Sequence, residues 1–265
     1  MRFVNIASGS NGNCTYIESG ESRILIDVGI SAKKLEESLN ELDVKTSELT
    51  GIMITHEHSD HIKGLGLVSK KYQIPLYATE ETFEAMKNTS SCKDIPTEIM
   101  NSILPDKKFK LDNFIIDPIA ISHDAVNPVA YKIDDGKYKA AVVTDLGHYN
   151  EYIVDKLTQL DIILLEANHD VRILEAGKYP YYLKKRILGN NGHLSNNMAG
   201  QLLNCIIHDK LKTIFLGHIS HKNNYEDLAY ETVKCEISMG NNAYKDSDFN
   251  IEITKKDKIS TIINI

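Results

Sequence analysis

An α/β fold in one continuous domain, residues 1–265, is what this sequence predicts. Short apolar runs rich in β-branched residues alternate with stretches of helical spacing, and no Pro/Gly/Ser linker, low-complexity segment or short-period repeat interrupts them. The length allows one large α/β domain or two small ones, and an apolar content of 42% is enough to bury a core.

Taken in order, strands are expected at "RFVNIA" (2–7), "CTYIES" (14–19) and "RILIDV" (23–28), each a short run carrying Val, Ile or Thr, followed by a helix over 31–40. "GIMIT" (51–55) leads into a helical pattern over 61–72, and "LYAT" (76–79) into one over 80–88. A second set of strands comprises "NFIIDPIAI" (113–121), "VAYKID" (129–134), "KAAVVT" (139–144), "DIILLEA" (161–167) and "TIFLGH" (213–218). Helical patterns accompany it over 150–158, 180–187, 195–208 and 225–239. In the third of these, Met198, Leu202, Leu203 and Ile206 share one side, and Ser195 is placed to cap the N-terminus. "NIEITK" (250–255) and "STIINI" (260–265) are the last strands expected.

Composition narrows the function classes. The opening "MRFVNIASGS" has no basic segment followed by an apolar stretch, and no apolar run approaches the ~18 residues of a membrane span, so no membrane association and a cytoplasmic location are expected. Cys14, Cys92, Cys205 and Cys235 lie far apart without a C-x-x-C pair, which suits reduced thiols. The formal net charge of -7 argues against a surface coated for phosphate contact, so a polyanion has to be held locally. The candidates are "LKKR" (183–186) and the pair Lys33 and Lys34, for which a solvated helix face is an equal explanation.

The chemistry concentrates at the ends of strands. Asp27, His56, His123, Asp145 and His218 each follow an apolar β run, the place where α/β folds present reactive side chains. "THEHSDH" (55–61) packs three histidines and an aspartate into seven positions. In an extended loop His56 and His58 point to one side and can ligate one metal ion, while Asp60 and His61 on the next turn reach a second. Imidazole and carboxylate donors suit zinc, manganese or iron, and the residues alone do not choose among them.

"HEHSDH" resembles the H-x-H-x-D-H signature of the metallo-β-lactamase fold, and the likeness continues in order along the chain. Asp27 in "LIDVG", His123 in "SHDA", Asp145 in "TDLG" and His218 in "LGHIS" look like its further motifs. The resemblance implies a four-layer αβ/βα sandwich with two divalent metal ions at one edge of the sheets. His56, His58 and His123 would hold one ion and Asp60, His61 and His218 the other, with Asp145 and a hydroxide bridging and Asp27 orienting a ligand. "LLEANHD" (164–170) and "NGHLSNNMAG" (191–200) resemble the nuclease branch related to ribonuclease Z and ribonuclease J. By that likeness Glu166 orients His193, which protonates the leaving oxygen, so the catalytic set is His193, Glu166 and Asp60.

"ASGSNGNCTYIES", "SHDAVNPVAYKI", "ANHDVRILEAGKYPYYLKKRILGNNGHLSNNMAG" and "GHISHKNN" look like the YycJ (WalJ) family, departing from it at Asn11 and His221, neither an expected ligand. These are bacterial single-domain proteins often encoded beside an essential cell-wall two-component system, with members regarded as 5′ to 3′ DNA exonucleases. Only 21 residues separate His123 from Asp145, about two strands and their turns at ~3.3 Å per residue, which leaves no room for the arm with which ribonuclease Z grips transfer RNA. The 72 residues between Asp145 and His218 are filled by strand and helix patterns, so the RNA-clamping domain of ribonuclease J is not expected either.

The expectation is therefore a metal-dependent nuclease acting on DNA ahead of RNA. Its rivals are a small-molecule hydrolase of thioesters or lactams and a non-catalytic metal-binding regulatory protein. Other positions carry open alternatives. "SGSNGN" (8–13) supplies donors to a phosphate or is a tight β-turn. His169 supports Glu166 or is structural, while His148 and His208 are surface or helix-end residues. His221, Asn223 and Asn224 line a substrate groove or do not. Tyr179, Tyr181 and Tyr182, interleaved with Lys184, Lys185 and Arg186, form a base-stacking platform or anchor a helix.

Overall fold

Nearly every run marked as a strand by its β-branched residues is a strand in the computed structural model, which describes residues 1–265. The chain forms two units, one of residues 1–120, 125–138 and 255–265, the other of residues 121–124 and 139–254.

The first unit is built on a mixed sheet. β1 (Arg2–Ala7), β2 (Cys14–Ser19) and β3 (Ser22–Ile26) run antiparallel, and β4 (Gly51–Met53), β5 (Leu76–Thr79) and β6 (Met100–Ile103) continue from β3 in parallel. Three helical segments cross between the parallel strands: α1 (Ala32–Glu41), then α2 (Ser59–Ile62) with α3 (Leu65–Tyr72), then α4 (Glu80–Lys87). Leu35, Leu39, Val68, Phe83 and Met86 from these helices join Leu25, Ile52, Ile54 and Leu76 in one buried cluster. Ser31 caps α1 by accepting Lys34 N at 3.2 Å, and Thr79 caps α4 by accepting Thr82 N at 3.3 Å. β7 (Phe109–Leu111), β8 (Phe114–Ala120) and β9 (Val129–Asp134) form an antiparallel set. It is tied to the first sheet where the Tyr131 hydroxyl donates to Ile54 O at 3.0 Å and Phe109 stacks on Tyr77.

In the second unit β10 (Lys139–Val143), β11 (Ile162–Glu166), β12 (Thr213–Gly217) and β13 (Asn250–Ile253) pair in parallel in that order. Every residue of β11 and β12 is buried, as in a parallel sheet covered on both faces. The helices are α5 (Glu151–Lys156), α6 (Val171–Ala176), α7 (Tyr181–Leu188), α8 (Asn196–Ile206) and α9 (Glu226–Met239). Ser195 caps α8 as expected, accepting Met198 N at 3.3 Å. β14 (Ile263–Asn264), the remaining strand, belongs to the first unit and pairs with β1. No helix is long and apolar enough to cross a membrane.

The α/β class is borne out, with local corrections. The helix expected over 61–72 is two helices, because Gly64 N donates to Val28 O at 2.9 Å and His61 O accepts Val28 N at 2.8 Å, which takes both groups out of the helical ladder. β6 and β7 were not expected: they are four and three residues long with one buried residue between them, too short to show a period. The six-residue α6 was missed for the same reason, although Asp170 caps it by accepting Ile173 N at 2.9 Å.

Candidate metal centre

In the first unit the donors hang from the ends of β3 and β4. Asp27 follows β3 with φ 62°, in the left-handed region that Asp, Asn and His enter more readily than other side chains. That turn aims its carboxylate across at Thr55: Oδ1 accepts Thr55 N at 2.8 Å and Oδ2 accepts the Thr55 hydroxyl at 2.8 Å. His61 Nδ1 donates to the same Oδ2 at 2.7 Å. Since the Thr55 hydroxyl is spent on Asp27, its oxygen accepts from His56 Nδ1 at 3.0 Å. Both imidazoles are thereby fixed with Nε2 as the lone-pair nitrogen, the form that binds a metal ion.

Loop geometry completes the cluster. His58 is the extended residue before α2, so Asp60 and His61 lie on the first turn of that helix. Gly29 lets the β3 end close on α2; a Cβ there would come within 1.7 Å of Asp60 O. Asn13 reaches in from the β1–β2 loop, its N accepted by Asp60 O at 2.8 Å and its Nδ2 donating to His61 Nε2 at 3.1 Å.

The donors fit a metal ion. His56 Nε2 and His58 Nδ1 face each other at 3.1 Å, close to the ~3.3 Å between two nitrogens on one tetrahedral ion with bonds of ~2.0–2.1 Å. His56 and His61 are fully buried, and Asp60 has a 21% exposed side chain. We expect Asp27→Asn to keep the fold but lower metal affinity about 10–100-fold, read by metal titration, because the charged acceptor that fixes His61 is lost.

The second unit gathers its own cluster around Glu166, the last residue of β11. Asp145, beyond β10, and His218, beyond β12, also adopt left-handed φ, 59° and 50°. Glu166 is fully buried and accepts the backbone N–H of Asp145 at 3.2 Å, of Leu146 at 2.8 Å and of Leu194 at 2.9 Å. Its Oε2 also takes His193 Nδ1 and His218 Nδ1, each at 3.2 Å. Burial acts to raise its pKa, but the charge of His193 and the hydrogen bonds from His193 and His218 prevail and hold it at about 2. Glu166 is thus an anion that orients two histidines and three backbone groups.

His123 donates Nδ1 to Gly192 O at 3.1 Å, which turns Nε2 toward Asp145 Oδ1 at 3.6 Å. Burial, opposed by Asp145, holds its pKa below the ordinary histidine value, which keeps the ring neutral and able to ligate. His193 lies 3.4 Å from Asp145 Oδ1 and has a 16% exposed side chain, against 0 to 3% for Glu166, Asp145 and His218.

Each expected donor is thus gathered with the others of its unit. Sequence reasoning did not find Thr55 or Asn13 as hydrogen-bonding partners of the histidines; both stand inside motifs singled out for other residues. Asn223 and Asn224 are buried, not groove-lining, and Asn224 Nδ2 donates to Ala167 O, Asn168 O and Asn196 Oδ1. His169 is buried with an unbonded Nδ1, and burial lowers its pKa to about 4. Tyr181 and Tyr182 are 80% and 73% exposed, so they do not anchor α7. Arg186 of the basic run pairs with Asp124, and Lys184 Nζ donates to Glu175 O at 2.6 Å.

Residues 7–218 match the family described as the metallo-beta-lactamase superfamily. The chain is 36% identical over 238 residues to the exodeoxyribonuclease WalJ of Streptococcus pneumoniae serotype 2, covering 90% of this chain and 88% of that protein. It is also 36% identical over 235 residues to the exodeoxyribonuclease YycJ of Bacillus anthracis, covering 88% of each. Among solved structures, the metallo-beta-lactamase fold protein YhfI of Bacillus subtilis superposes with a TM-score of 0.70 at 17% identity over 98% of both chains.

Proposed function

The chain belongs to the metallo-beta-lactamase superfamily, whose αβ/βα sandwich is the fold its motifs point to, and from that membership we propose that it is a metal-dependent exodeoxyribonuclease working 5′ to 3′. The observation that carries this reading is the 36% identity to two exodeoxyribonucleases across nearly the whole of each chain.

Clustered imidazole and carboxylate donors in this superfamily imply divalent metal ions. On our reading there are two, zinc or manganese. His56, His58 and His123 would hold one, Asp60, His61 and His218 the other, and Asp145 would serve both. When bound, they supply Lewis acidity toward the phosphodiester and a water deprotonated near neutral pH. Asp27 and Thr55 fix the tautomers of His61 and His56 before any substrate arrives. Glu166 grips His193 by its Nδ1 edge and so presents Nε2 outward, where it protonates the departing oxygen. Glu166 also locks the turn carrying Asp145 and the ring of His218. The reading takes residues 1–265 as one working domain, and its four free thiols suit the reducing cytoplasm.

The test is digestion of 5′-labelled and 3′-labelled duplex DNA, single-stranded DNA and RNA by protein loaded separately with manganese or zinc. Asp60→Ala with His61→Ala is the control. Release of the 5′ label as mononucleotide by wild type alone is expected. Intact nucleic acid under both metals, with the metals measured as bound, would replace this reading by a thioester or lactam hydrolase or a regulatory protein.

A further inference from the structure

Beside Asp60, within the first unit, lies a cavity of about 660 Å³ into which Lys34, Lys63 and Lys256 project. The metal cluster does not use these lysines, and none of them forms an ion pair, whereas their neighbours do: Lys33 is paired with Glu37 at 3.8 Å and Lys71 with Glu36 at 2.8 Å. Like charges gathered in one concavity repel each other. Asp257 and Asp60 are the acidic groups in the wall, and Asp60 is committed to the metal side on the reading above. A protein of formal net charge -7 thus gathers three lysines without ion pairs against two aspartates at one place, next to its proposed catalytic cluster.

The rest of the wall has the chemistry of an oxyanion site. Ser10, Asn11 and Ser31 line it with donors. Ser31 is also the cap of the ten-residue α1, so the first turn of that helix opens onto the cavity. The tight β1–β2 loop that presents Ser10 and Asn11 is closed by Gly12 N to Gly9 O at 2.9 Å. Gly12 there packs on Gly29 O, which a Cβ would approach to 2.7 Å. The turn reading of "SGSNGN" therefore holds, and the turn faces the cavity. No aromatic side chain lines the pocket, so a base finds no aromatic stacking surface there. Its volume exceeds a bare phosphate and falls in the ~300–1,000 Å³ range of pockets that hold small organic ligands.

We propose that this cavity binds the 5′-terminal phosphate of a DNA strand, with its nucleotide, and so sets the end from which digestion starts. The proposal rests on the exonuclease reading. A terminal phosphomonoester carries about -1.5 to -2 charges at neutral pH, more than the single charge of an internal diester, so converging lysines select a phosphorylated end over an internal position or a 5′-hydroxyl.

The test compares kcat/KM of the manganese-loaded full chain on one duplex bearing a 5′-phosphate, a 5′-hydroxyl or a 5′-phosphate capped as an alkyl diester. Wild type is expected to favour the free phosphate by on the order of tenfold, and Lys34→Ala with Lys256→Ala to bring the ratio below roughly twofold, mainly through KM. Neither lysine is ion-paired, so the melting midpoint should hold, and Lys34→Gln with Lys256→Gln serves as a second variant. In parallel, fluorescence anisotropy in EDTA measures binding of a 5′-phosphorylated and a 5′-hydroxyl single strand to both proteins. Turnover and binding indifferent to the end would overturn the pocket and leave the nuclease standing, as would a variant that keeps the preference. Phosphate-dependent binding lost in the variant, with no DNA digested by either protein, would overturn the nuclease and leave a phosphate site.

Discussion

His193→Ala is expected to lower DNA turnover ~10²–10⁴-fold while metal content and melting midpoint stay at wild-type values. Its ring is the most exposed of the Glu166 cluster, so its removal leaves no deep cavity, and Glu166 keeps four other donors. Metal content matters because Asp145, Glu166, His193 and His218 stand close enough to surround one ion. If the variant lost metal in step with activity, His193 would be a ligand. If it acts as the acid, a diester with a p-nitrophenolate leaving group, which departs without a proton, should suffer far less than DNA.

Glu166→Gln is expected to harm both folding and turnover. Leu146 N and Leu194 N converge on Oε1; Asp145 N, His193 and His218 converge on Oε2. Whichever way the amide is placed, its NH₂ meets donors in a site closed to water, and the negative charge opposite the imidazoles is gone. Destabilisation of roughly 3 kcal/mol should appear in denaturant unfolding, with turnover falling about as far as in His193→Ala. The variant also changes pH dependence. Because the folded pKa of Glu166, about 2, lies below the unfolded ~4.3, its stabilisation is present above the unfolded value and is lost as pH falls toward 2. The metal-free variant should lack that part of the acid limb; an unchanged acid profile would show that Glu166 does not carry it.

What could be read in advance followed from burial. β1, β2, β5 and β9 agree with expectation residue for residue, since each packs a long apolar side against a core. The site was legible because strand ends place Asp27, Asp145 and His218 where chain turns are fixed. The hydrogen bonds that tune it were not: Thr55, between Asp27 and His56, matters through a hydroxyl direction, which no spacing encodes. The lysine cavity was half visible. Lys34 had been singled out with Lys33, but Lys63 and Lys256 lie 193 positions apart and meet only through the fold. "LKKR" looked equally suited to a polyanion, yet Arg186 is taken by Asp124.

The left-handed turns at Asp27, Asp145 and His218 also bear on how such a chain can change over generations. Each holds a Cβ where the backbone is strained, at ~1–2 kcal/mol relative to ordinary regions. Glycine at any of the three would relax the backbone while deleting a functional group. At Asp27 that relief is outweighed, because losing the carboxylate would leave Thr55 N, the Thr55 hydroxyl and His61 Nδ1 without an acceptor at ~1–3 kcal/mol each, so the hydrogen bonds themselves hold the strained residue in place.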